Sequence, residues 1–194
     1  GGAYHIYSAI FTVEFALYLS KKIHGDATWR IGIVCPYLTQ ASLVEKMIAV
    51  LFVSHPRIQI VTGTVHRFQG DEFDIILTLL NPPPQISSNI FLNNQNILNV
   101  AISRAKNYLI MIIPDIEGLT QIKKIEDILR NNDIKPYFEE FTSAEIEKII
   151  FNQNNYIYEN SFITTHQKVN IYAKAEKRYE IRCEENAVDI QLKV

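Results

Sequence analysis

Two polar segments interrupt an otherwise apolar chain, and both carry side chains able to handle charge. The first, Val61-Thr-Gly-Thr-Val-His-Arg-Phe-Gln-Gly-Asp-Glu-Phe-Asp74, sets four charged side chains between two apolar runs. On composition alone its simplest reading is a surface loop. The second is Leu98-Asn-Val-Ala-Ile-Ser-Arg-Ala-Lys106. At helical period Leu98, Ala101, Ile102 and Ala105 share one face, while Val100 and Arg104 share another, so Arg104 points away from the core stripe. A lone arginine in that position is ordinarily solvated or ion-paired. His66 has no Cys, His or carboxylate partner at ligand spacing, so no metal site is expected. His166 and Lys168, ahead of a short apolar run, read as turn and surface positions.

The elements that must position these segments follow from periodicity. Tyr7–Ile23 lacks Gly and Pro and repeats apolar residues at three- and four-residue steps, which predicts a helix. Ile31–Cys35 is a short β-branched run stopped by Pro36, the mark of a buried strand. Thr39–Phe52 returns to helical period with Thr39 as its cap. Ile58–Val61 and Phe73–Leu80 read as strands, Asn96–Lys106 as helix, Tyr108–Ile113 as strand and Leu119–Arg130 as helix. Strands covered on both faces and separated by helices imply right-handed crossovers and an open, mostly parallel sheet. The expected fold is therefore a three-layer α/β/α sandwich, with ligands sought first in the loops after Cys35, Val61 and Leu80.

Composition narrows the partners only slightly. The 194 residues are 47% hydrophobic and carry a net charge of −2, enough apolar matter for a core and no basic excess to announce an anionic partner. No run of about 20 apolar residues offers a membrane span, and Cys35 and Cys183 lie far apart, as free thiols of a reducing, cytoplasmic compartment would. The chain opens Gly1-Gly2-Ala3 without methionine, as an internal piece of a larger protein would. Residues 131–194 are the more acidic part and predict a small α+β extension, with a helix at Thr142–Phe151 in capping-box spacing and three short strands. We expect two units, 1–130 and 131–194, the second of unassigned role.

Three segments in order, Gly32–Gln40, Thr64–Asp74 and Leu98–Lys106, resemble the late motifs of superfamily 1 helicases, approximately G-[IV]-[IV]-x-P-Y-x-x-Q, [ST]-V-[DH]-x-F-Q-G-x-E-x-D and L-N-V-A-[LI]-[ST]-R-A-[KR]. The branch of the nonsense-mediated-decay helicase is the most similar, over about residues 5–115. The resemblance implies the second RecA-like domain of an ATP-dependent DNA or RNA helicase or translocase moving 5′ to 3′, with an N-terminal RecA-like domain of the same polypeptide as its partner.

What the resemblance implies for the residues is specific. Arg104 becomes an arginine finger, and Gln69, Gly70 and Glu72 become contacts to the ribose or phosphates of ATP, bound with Mg²⁺ mainly by the partner domain. A carboxylate can accept ribose hydroxyls, and Gly70 lets backbone come close to a ligand. Pro36, Tyr37, Gln40, Thr64, Val65 and His66 become contacts to single-stranded DNA or RNA. Tyr37 is equally readable as a stacking or a packing residue. The phosphate-cradling pattern GxxxxGK[ST] does not occur, so this chain alone is not expected to hydrolyse ATP. The alternative reading is a catalytically inactive RecA-like scaffold or nucleic-acid-binding regulatory module.

Overall fold

The computed structural model describes residues 5–81, 92, 95–115 and 122–157, together with the backbone of 169–172, 180–184 and 187–191. The chain runs α1 (Ile6–Lys22), β1 (Trp29–Cys35), α2 (Leu38–Leu51), β2 (Ile58–Thr64), β3 (Phe73–Leu79), α3 (Gln95–Ser103), β4 (Ala105–Ile112), α4 (Lys123–Arg130), α5 (Ser143–Phe151), β5 (Val169–Tyr172), β6 (Glu180–Glu184) and β7 (Ala187–Gln191). The first four strands form one sheet in the order β2-β1-β3-β4, parallel at each pairing. This is the α/β architecture that the strand and helix alternation implies. The last three form an antiparallel sheet.

Alternation along the strands sorts the core into two layers. Ile31, Ile33 and Cys35 of β1 with Ile75, Leu77 and Leu79 of β3 pack against α1 and α2. Val34 and Ile76 face the other way, against the short 3-10 turn Val65–Phe68, with Val100 of α3 packed beside them. Leu80, Leu92, Leu98, Ile122 and Ile125 make a third cluster on which α4 rests. Register puts the strand ends level: Cys35 opposite Thr64 and Leu79 opposite Ile112 at the carboxyl edge, Trp29 opposite Ile58 and Phe73 opposite Ala105 at the amino edge.

Several boundaries differ from the sequence reading: β1 starts two residues earlier, at Trp29, and β2 runs three residues further, to Thr64. Helix α3 stops at Ser103, and Ala105 and Lys106 open β4 instead of closing the helix. Ala105 packs on the same apolar cluster in either state, so periodicity cannot separate them; pairing with β3 decides. Between Phe73 and Ile75 the partner strand advances from Ala105 to Tyr108, a bulge of one extra residue. Tyr37, rather than Thr39, stands at the N-cap of α2, with no side-chain cap bond. The residues around Leu119, like those around His166 and Lys168, lie outside the described part.

The helix expected at Thr142–Phe151 is present with its reciprocal box: Thr142 Oγ1 accepts from Glu145 N–H, and Glu145 Oε2 accepts from Thr142 N–H at 2.7 Å. Packing continues across residue 130. Glu147 of α5 is fully buried, accepts the Tyr7 hydroxyl of α1 and the Ile157 N–H, and Ile157 joins the α1–α2 core. The segment up to 157 is thus bound into the first unit's core.

Candidate nucleotide and nucleic-acid sites

The chain leaves β2 at the carboxyl edge and returns across one sheet face to start β3 at the amino edge. The return needs room over β1, and Gly32 provides it. A Cβ there would lie 2.6 Å from Ile76 Cδ1 and 2.7 Å from Phe68 Cε1. Phe68 instead fills the space, its ring centroid 4.9 Å from that of Phe73. This anchor delivers Gln69–Glu72 to the amino edge as an exposed turn, with Gly70 at φ +87°, a conformation that side-chain-bearing residues rarely adopt.

Arg104 stands beside that turn. Its carbonyl accepts the Phe73 N–H at 2.9 Å, so the end of α3 and the end of the Gln69–Glu72 turn are joined by backbone. The residue is half-buried, and its guanidinium donates through Nε and NH2 to Ser103 Oγ at 3.2 and 3.0 Å on the exposed side. Among the described residues no carboxylate pairs with it, although Glu72 is near enough to meet Lys106 Nζ at 3.4 Å. With the nearby Glu72 taken up by Lys106, the Arg104 guanidinium keeps donors for an incoming anion.

Sequence reasoning missed one participant. Arg30, at the start of β1, donates its backbone N–H to Asp74 Oδ2 at 2.8 Å and its NH1 to the Glu72 carbonyl at 2.9 Å. Its guanidinium also lies 3.6 Å from Asp71 Oδ2 and 4.4 Å above the Phe73 ring. Nothing local marks Arg30; only the β1–β3 pairing brings it there.

The second predicted set gathers at the carboxyl edge, roughly 20 Å away along strands of seven residues. Thr64 is half-buried and His66 exposed, both at the start of the 3-10 turn. Pro36 is buried and Tyr37 half-buried, with burial pushing the phenol above its ordinary range. Val65 is a core residue of the Phe68 cluster. Gln40, 3% exposed, accepts the His5 N–H at 2.6 Å and donates to the His5 carbonyl at 3.2 Å, bracing the start of α1. The two predicted sets therefore occupy opposite edges of one sheet, and only the second lies at the strand ends where open sheets usually bind ligands. Among the described residues no three His, Cys, Asp or Glu side chains converge as a metal site.

A four-stranded parallel sheet with α1 and α2 on one face and α3 on the other is that of a RecA-like domain. The model of the AAA domain family matches residues 7–115, more than half the chain, and the chain belongs to that family. It is 34% identical over 85 residues to the DNA replication ATP-dependent helicase/nuclease JHS1 of Arabidopsis thaliana, covering 42% of this chain and 6% of that protein. It is 30% identical over 122 residues to helicase SEN1 of Saccharomyces cerevisiae, covering 61% of this chain and 5% of that protein. Within superfamily 1 helicases the chain is a member of the branch that contains SEN1 and the nonsense-mediated-decay helicase. It spans 5 to 6% of the length of these relatives.

Proposed function

We propose that this chain is the second motor domain of an ATP-dependent helicase or translocase, and that Arg104 completes a nucleotide site whose phosphate cradle lies on another RecA-like domain of the same polypeptide. The observation that carries the reading is the Arg104 guanidinium, solvent-facing and without a carboxylate partner among the described residues, on the same sheet edge as the Gln69–Glu72 turn. Gly70 fits a close approach, since no atom lies within 4 Å of where its Cβ would stand. The residues present fit the outer side of a triphosphate and not its cradle or its Mg²⁺.

Bound ATP supplies a γ-phosphoryl group whose transfer disperses negative charge over its oxygens. Arg104 stabilises that charge, an effect worth roughly 10³–10⁵ in rate in nucleotidases that use such a finger. Glu72 accepts ribose hydroxyls, and Gln69 and Gly70 offer amide groups to the nucleotide. At the opposite edge Thr64, His66 and Tyr37 line the path of a single strand of DNA or RNA, with Pro36, Gln40 and Val65 supporting that edge from within. The isolated chain does not hydrolyse ATP on this reading. We place the protein in a reducing, cytoplasmic compartment, on the ground of its sparing use of cysteine.

The test is ATP turnover by the full-length protein with single-stranded DNA, with single-stranded RNA and with neither. Stimulation by one polymer, lost in Arg104→Ala by at least about a thousandfold, supports the motor and names its substrate. Unchanged turnover in Arg104→Ala overturns the assignment. Strand binding with no turnover under any condition favours the inactive scaffold.

A further inference from the structure

We infer that Arg30 is a positioning residue of the nucleotide site, holding the Gln69–Glu72 turn at the height at which it meets ATP; the inference rests on the function proposed above. The turn is weakly held by its own backbone. Gln69 N–H reaches the His66 carbonyl, and Asp71 N–H the Phe68 carbonyl, only at 3.4 Å. Gly70 adds backbone freedom rather than restraint. No described helix covers the turn, and Gln69, Gly70, Asp71 and Glu72 are all exposed.

Arg30 supplies what the turn lacks. One guanidinium grips three consecutive residues by different means: an ion pair to Asp71, a charge-assisted hydrogen bond to the Glu72 carbonyl, and stacking over the Phe73 ring. The planar fork is what makes the combination possible, because a point ammonium cannot stack and donate in two directions at once. Arg30 is itself held in place: Nε donates to Gln59 Oε1 on β2 at 3.3 Å, and the backbone N–H donates to Asp74. Arg30 thus ties β2, β1 and β3 together directly beneath the turn. Its hold on Glu72 is through the backbone carbonyl, which leaves the Glu72 carboxylate to Lys106 and to a ligand.

A turn set loose in this way costs nucleotide affinity more than chemistry, because the reacting phosphate is addressed by Arg104 and not by the turn. The experiment uses the full-length protein with saturating single-stranded nucleic acid. It compares Arg30→Gln, Arg30→Lys and Arg104→Ala for kcat and for KM of ATP, and follows hydrogen exchange of the peptide spanning 68–73. Arg30→Gln is expected to raise KM about tenfold with kcat within about twofold, the loss typical of one charge-assisted hydrogen bond. Exchange in 68–73 should quicken in step, and Arg30→Lys should recover part of both, since it keeps the ion pair. An unchanged KM in Arg30→Gln alongside an inactive Arg104→Ala overturns this inference and spares the motor reading. A fully active Arg104→Ala overturns the motor reading itself. Equal loss of kcat and melting temperature in both Arg30 variants reduces Arg30 to a fold-stabilising residue and also overturns the inference.

Discussion

The Phe73 N–H donates to the Arg104 carbonyl at 2.9 Å, so the last residue before β4 is locked to the first residue of β3. That one bond joins the Arg104 backbone to the residue at which the Gln69–Glu72 turn enters β3. The guanidinium is steadied separately, by the neighbouring Ser103 hydroxyl. Expectations for specific variants follow from this arrangement and from its surroundings.

Gly70 and Gly25 both sit at positive φ, +87° and +106°, with nothing within 4 Å of a notional Cβ. Alanine at either position meets a backbone penalty and no clash, about 1–2 kcal/mol of stability. Urea midpoints should fall alike in both variants. Only Gly70→Ala should also raise KM for ATP in the full-length protein, because only Gly70 belongs to the turn.

The carboxyl edge separates contact from support. His66→Ala and Thr64→Ala should each raise the strand concentration needed for half-maximal ATPase stimulation by about three- to tenfold, the range of a lost hydrogen bond. Gln40→Ala should act differently. It removes both bonds to the His5 backbone and should lower stability by about 1–3 kcal/mol, read from the urea midpoint.

Glu147 is a buried carboxylate whose two oxygens are engaged by Tyr7 and Ile157. Glu147→Ala removes the acceptor of both donors and should cost about 2–6 kcal/mol, about 1–3 for each donor. Tyr7→Phe removes one bond and should cost about 1 kcal/mol. A double-mutant cycle on urea midpoints measures the coupling, and additive losses would show that the two side chains act independently.

His5 makes the fold sensitive to mild acid. Its Nδ1 accepts the Ser8 N–H at the start of α1, which requires the neutral ring, and burial holds its pKa below the ordinary 6.5. The unfolded chain takes up the proton more readily than the native one. This contribution is therefore intact above about pH 6.5 and declines as the pH falls from there toward the depressed native value. Urea midpoints at pH 7.5 and 5.5 should differ, and His5→Asn, which can still cap but does not titrate, should shrink the difference.

Much of this was written into local sequence. β1 and β3 are apolar runs of strand length, and a sheet buried on both faces leaves them few alternatives. The Thr142–Glu145 box is likewise read from two residues at fixed spacing. The end of α3 was not legible, because Ala105 satisfies the same apolar cluster as helix or as strand and only pairing with β3 chooses. Arg30 and Gln40 escaped for a related reason. One acts on residues 41 to 44 positions downstream and the other on a residue 35 positions upstream, so their roles exist only once the strands are assembled.

The separation of the two sets across the sheet has a mechanical meaning. Strands joined by continuous parallel hydrogen bonding form a stiff plate, unable to stretch appreciably along its length. A pull on the Arg104 rim must therefore swing the Thr64 rim in the same motion, with α1 and α2 riding as ballast on one side. On the function proposed above, a stroke begun by a nucleotide at one rim would reach nucleic acid at the other through strands paired along their whole length, with no need for any of them to stretch.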